Sequence, residues 1–172
     1  MHTPSPILSI AQTRAAEQAA VDAGSSFWQL METAGTAAAQ DLLKRPVNAQ
    51  RYWILCGKDN NGGDGLVMAR LLALAGKHVT VSLMQGGVSS DLASQNLAAL
   101  PNNVVVQAPA VALLLKHDCV IDAVFGIGFD GELSEDLQAV FHALASHPCL
   151  RVALDIPSGI HADSGHIAAH SF

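Results

Sequence analysis

The chain has 172 residues, half of them apolar and only 14% charged, which suffices for a full core and excludes an intrinsically disordered segment. A formal charge of −6 excludes a binder of nucleic-acid backbones, which are held mainly by Lys and Arg. It leaves room for one small anionic ligand, because backbone N–H groups hold anions without basic side chains. The Met1–Pro6 start lacks a basic region and a long apolar stretch, and no run of about 18 apolar residues is free of breakers. A soluble, cytoplasmic protein without signal peptide or membrane span is therefore expected.

Ile7–Val21 and Ser26–Leu43 carry apolar residues at three-and-four spacing and are expected to be helices. The second starts at a Ser25 or Ser26 cap and is stopped by Pro46. Arg51–Cys56 (RYWILC) is a short apolar run between turn residues, as in a buried strand. Gly65–Ala75 follows as a helix ended by Gly76. His78–Met84 is a strand, Asp91–Leu100 a helix, Asn103–Gln107 a strand and Val111–Lys116 a short helix. Asp118–Ala123 is a strand, Ser134–Ser146 a helix and Leu150–Asp155 a strand. This alternation implies one α/β domain over residues 1–172, a Rossmann-like three-layer αβα sandwich with a mostly parallel sheet.

Ligands of such sheets bind at the carboxyl ends of the strands. Three polar, glycine-containing turns follow strands and are expected to meet there: Gly57–Gly65, Phe125–Gly131 and Asp155–Gly159. In the first, Gly62, Gly63 and Gly65 precede a helix, whose unpaired N–H groups suit phosphate or pyrophosphate. Asn60, Asn61 and Asp64 add specific ligand groups. Gly126-x-Gly128-x-x-Gly131 has dinucleotide-fingerprint spacing but follows the wrong strand, which argues against a dehydrogenase. Lys58 precedes the glycines instead of following them, which argues against a P-loop kinase.

Asp122 and Asp155 end buried strands, so each needs N–H donors, a cation or a ligand. The Asn61 amide, the Asp122 carboxylate and Ser158 form an all-oxygen set suited to a hard cation rather than zinc. The alternative is that Asp122 simply caps the next turn. Cys56, Cys119 and Cys149 are expected to be buried reduced thiols. His161 and His166 flank Asp163 without zinc-site spacing, and His2, His78, His117, His142, His147 and His170 are scattered, as surface histidines are.

Cys56-Gly57-x-x-Asn60-Asn61-Gly62-Gly63-Asp64-Gly65, Asp122-Ala123-x-Phe125-Gly126-x-Gly128 and Asp155-Ile156-Pro157-Ser158-Gly159 together resemble the NAD(P)H-hydrate epimerases, the YjeF N-terminal domain family. The Met31-Glu32-Thr33-Ala34-Gly35 segment is similar as well. The resemblance implies an epimerase that interconverts the R and S forms of hydrated NADH and NADPH (NADHX and NADPHX) in cofactor repair. It implies that Asn60, Asn61, Gly62, Gly63, Asp64, Gly126, Ile127, Gly128, Phe129, Asp130, Gly131, Glu132 and Asp155 hold the ligand. It further implies a potassium ion on Asn61, Asp122 and Ser158, a dehydratase as partner or fused domain, and a homodimer formed through the N-terminal helices. Asp122 is expected to be the catalytic acid–base group.

Two departures stand out. Asp59 occupies a place where the family usually has glycine, so crowding of the phosphate site or a positive φ is expected there. The family continues beyond Gly165 by at least one more strand and helix, so a trimmed domain or part of a longer bifunctional chain is expected. The rival class is a non-catalytic nucleotide- or protein-binding scaffold of the same fold.

Overall fold

The computed structural model describes residues 7–172, so the readings of Met1–Pro6 and His2 lie outside the described residues. Five strands form one sheet in the order β3-β2-β1-β4-β5, and every neighbouring pair is parallel. They are β1 (Arg51–Cys56), β2 (His78–Leu83), β3 (Val105–Val106), β4 (Cys119–Ala123) and β5 (Leu150–Ala153). The helices are α1 (Ile10–Asp22), α2 (Phe27–Lys44), α3 (Asn60–Leu74), α4 (Asp91–Ala98) and α5 (Glu135–Ala145), with a 3-10 turn at Val111–Lys116.

The continuous apolar run of β1 reflects burial on both faces. Tyr52, Ile54 and Cys56 pack with α2, α3 and α4, whereas Trp53 and Leu55 pack with the 3-10 turn and α5. Successive side chains of a strand point to opposite faces, so one short segment serves two cores. The α/β three-layer expectation therefore holds.

Several boundaries differ from the sequence expectation. α1 begins at Ile10 because Ser9 and Gln12 form a capping box ahead of it. β3 shrinks to two exposed residues at the sheet edge. β5 stops at Ala153, and Asp155 turns the chain with φ of 67°. The largest difference is α3, which starts at Asn60 rather than Gly65. Weak helix propensity of the glycines is overridden there by close packing.

His117 is also unlike the expectation. It is buried, with Nε2 2.9 Å from Thr80 Oγ1 and Nδ1 2.6 Å from the Leu113 carbonyl oxygen. Burial lowers its pKa. Cys56 and Cys119 are buried free thiols, while Cys149 is half-buried.

From β1 the chain builds outward through β2 to β3, then returns to add β4 and β5 on the other side. The reversal lies between β1 and β4, the place where open parallel sheets leave a crevice. The loops leaving these two strands begin the site.

Candidate functional site

The loop after β1 enters α3 through Asp59, its N-cap residue. Asp59 has φ of −102° and its carboxylate accepts a 2.8 Å hydrogen bond from Ser89 Oγ, so the expected positive φ is not found. The Gly63 N–H donates to the Asp59 carbonyl at 3.1 Å. The N–H groups of Asn60, Asn61 and Gly62 precede the first intrahelical donor, Gly63, and stand ready for an anion.

The glycines of this helical turn serve packing. A β-carbon on Gly62 would run into the Gly57 carbonyl, one on Gly63 would sit 2.6 Å from Met31 Cε, and one on Gly65 2.5 Å from Ala123 Cβ. These contacts clamp α3 against β1, β4 and α2. They also explain the Met31–Gly35 segment: Glu32 pairs with Arg70 of α3 at 2.7 Å, and a β-carbon on Gly35 would lie 2.6 Å from Val67 Cβ.

The three turns meet as one hydrogen-bonded unit. Asp122, fully buried at the end of β4, accepts from Val124 N at 3.0 Å and from Ser158 Oγ and N at 2.7 Å each. It thus caps its own turn and binds the third turn as well. Ser158 Oγ in addition accepts from Phe125 N at 2.9 Å. Asp155 Oδ2 accepts from Ile127 N at 2.8 Å and lies so close to Gly126 that a β-carbon there would collide with it. That same position is 3.5 Å from Asn61 Cγ, which places the α3 amide beside the second and third turns. Left-handed Asp155 is uncommon for a residue with a β-carbon, and such strain concentrates at functional sites.

Two carboxyls here titrate near neutrality. Burial pushes Asp64 up to about 7, helped by the charges of Asp155 and Glu17. Burial also raises Asp122, to about 6, against the opposing hydrogen bonds from Ser158 and Val124. The Asn61 Nδ2 atom is buried without a partner. Swapping the nitrogen and oxygen of that amide, an assignment geometry must make, would set a carbonyl oxygen in the same place.

Gly128, Asp130, Gly131 and Glu132 are exposed along the second turn and Ile127 is half-buried. Phe129 is different: its ring is buried in the second core, 5.1 Å from the Phe125 ring, which leaves only its backbone near the surface. Sequence reasoning assigned nothing to Arg14 and Glu17 of α1, a helix that buries none of its residues. Cavities of about 190 Å³ beside Pro109–Val111 and about 270 Å³ beside Val47–Ala49 are lined by none of the residues of the three turns. Among the described residues no helix is long and apolar enough to cross a membrane.

The comparisons with known proteins follow the same geometry. The chain is 38% identical over 158 residues to the bifunctional NAD(P)H-hydrate repair enzyme Nnr of Coxiella burnetii, covering 91% of this chain and 32% of that protein. It is 35% identical to the NAD(P)H-hydrate epimerase of Rhodopirellula baltica, covering 83% of this chain and 61% of the relative. The epimerase of Limosilactobacillus fermentum is 32% identical, with 93% and 78% covered. The chain thus spans about a third of the Coxiella relative and less than two thirds of the Rhodopirellula one. The crystal structure of yeast ynu0, YNL200c, superposes with a TM-score of 0.80 at 26% identity, covering 98% of this chain and 77% of that one. The model of the YjeF-related protein N-terminus family matches residues 28–171, a stretch that holds all three turns and the Met31–Gly35 segment in order. On this match and these identities, the chain belongs to the YjeF-related protein N-terminus family.

Proposed function

We propose that this chain is an NAD(P)H-hydrate epimerase, an isomerase that interconverts the R and S forms of NADHX and NADPHX. The observation that carries the reading is the joining of three turns, distant in sequence, through Asp122, Ser158 and Asp155 beside the open amides of α3. The names of the Rhodopirellula and Limosilactobacillus relatives give the same activity. The dinucleotide's phosphates lie against Asn60 to Asp64, and Gly126 to Glu132 and Asp155 flank the rest. The same proposal includes a dehydratase, as partner or fused domain, that consumes one of the two epimers. Pairing of two copies through α1 and α2 and a cytoplasmic setting belong to the same proposal.

The reacting carbon carries a hydroxyl next to a ring nitrogen. A proton donor turns that hydroxyl into departing water as the nitrogen lone pair forms the C=N bond. Water then adds to either face and returns its proton to the acceptor, so atoms and charges balance. Ring opening and closure at the same carbon demands the same proton traffic. Asp122 is the proposed acid–base group. A second reading assigns the step to Asp64, because Asp122 is fully buried whereas Asp64 is half-buried at the edge with a pKa of about 7.

Asn61, Asp122 and Ser158 would hold a potassium ion. The set is all oxygen once the Asn61 amide is turned so that its oxygen replaces the buried, unpartnered Nδ2, and the three hydrogen bonds to Asp122 leave one of about four acceptor sites open. The ion supplies a fixed positive charge that favours the ionised form of Asp122.

The test is epimer exchange on separated R and S forms of NADHX and NADPHX, with potassium present and replaced by choline. Exchange by the native protein, lost by about 10²-fold or more in Asp122→Asn, is expected for acid–base catalysis. Full activity in Asp122→Asn combined with its loss in Asp64→Asn transfers the role to Asp64. Absence of exchange by the folded native protein overturns the enzymatic reading.

A further inference from the structure

Helix α1 lies outside the family match, which begins at residue 28, and buries none of its own residues. Apolar burial therefore does not explain where it sits. Its polar contacts do. The Ile10 N–H donates to Asp163 Oδ1 at 3.0 Å, in the loop that follows Ser158. Arg14 Nη2 is 3.6 Å from the place where a β-carbon of Gly128 would stand. Glu17, one turn on, is among the charges that bear on Asp64. Arg14 and Glu17 share one helix face at three-residue spacing and the Ile10 N–H opens the helix, so α1 runs along the carboxyl edge from the loop after the third turn toward the start of α3.

Charge gives this placement a meaning. Of the nine Lys and Arg, six stand at the amino ends of the strands, from Lys44 to Arg151, and Arg70 is paired with Glu32. Only Lys58 and Arg14 remain for the carboxyl edge, which carries Asp64, Asp130, Glu132, Asp155 and Asp163. Among the described residues Arg14 makes no ion pair. An anion entering such an acidic rim needs a cation, and a guanidinium binds phosphate through two parallel hydrogen bonds. Gly128 presents no side chain beneath Arg14, so a phosphate resting beside that stretch of backbone lies within reach of the guanidinium.

We infer that α1 is a wall of the ligand site and that Arg14 holds a phosphate group of the ligand. The inference rests on the dinucleotide reading above, and it concerns a residue to which the site motifs assign nothing. Two phosphates share the required chemistry: the pyrophosphate and, in NADPHX, the ribose 2′-phosphate.

The experiment is calorimetric titration of the native protein, Arg14→Ala and Arg14→Lys with ADP and separately with 2′-AMP. Because α1 buries no residue, the variants are expected to fold, and matching circular dichroism melts confirm it. Arg14→Ala is expected to weaken binding roughly ten- to hundredfold, the scale of a charge-assisted bidentate contact, and Arg14→Lys to recover part of it. Weakening for ADP assigns the pyrophosphate, and weakening for 2′-AMP alone assigns the ribose phosphate. In the exchange assay KM should rise while kcat stays within about twofold. Native-like affinity of Arg14→Ala for both nucleotides, or no binding of either by the native protein, overturns the inference. Nucleotide binding that depends on Arg14 without epimer exchange leaves the inference standing and removes the enzymatic reading. Exchange with unaltered affinity does the reverse.

Discussion

Asp64 holds its proton far more firmly in the folded chain than an ordinary carboxyl with a pKa of 3.8, since its pKa is about 7. A raised pKa means that the contribution to stability is complete below 3.8 and is lost as pH rises through 7. The cause, burial beside Asp155 and Glu17, would vanish with the charge. Asp64→Asn is therefore expected to be more stable than the native protein at pH 8 by about 1–2 kcal/mol, discounted for partial exposure, and to lose that advantage near pH 4. Urea unfolding at a series of pH values measures it. A constant difference between the two proteins across that range would show that Asp64 ionises normally.

At the scale of elements, the joint between β1 and α3 decides whether the site exists. Gly62→Ala would drive a methyl into the Gly57 carbonyl, and because both partners are backbone neither can rotate away. A loss of about 2–4 kcal/mol is expected in urea unfolding, against less than about 0.5 kcal/mol for exposed Asn60→Ala. A small effect at Gly62 would mean that the joint yields. This joint also marks the limit of what the residues alone convey. Alternating texture sufficed for the strands and their parallel pairing, because RYWILC has no solvent face to offer. The three turns were recognisable by composition, and they do meet. The glycines were read as room for a ligand, and their part in the packing of α3 was not seen, because spacing along a chain does not tell which atoms press from above. His117 was misplaced for the same reason: its partners, Thr80 and Leu113, come from other elements. Arg14 was invisible because α1 buries none of its residues, so its apolar spacing does not tell which side meets the site.

For the molecule as a whole, the proposed ion couples the site to global stability. A cation bound only by the folded state, at ten times its dissociation constant, adds about 1.4 kcal/mol, or about 3–6 °C in melting temperature for a chain of this size. Potassium chloride should raise the melting temperature above that in choline chloride of equal ionic strength, and Ser158→Ala should abolish the difference. Identical melts in both salts would remove potassium from the proposal.

The reversal of strand order between β1 and β4 has a further consequence. These strands lie side by side, yet three crossovers separate them along the chain, and Ser158 arrives only after β5. No contiguous fragment ending before Ser158 contains the ligand's surroundings, however well its own helices and strands form. The crevice comes into being only after β5, so the proposed nucleotide affinity would double as a report that all five strands are in place.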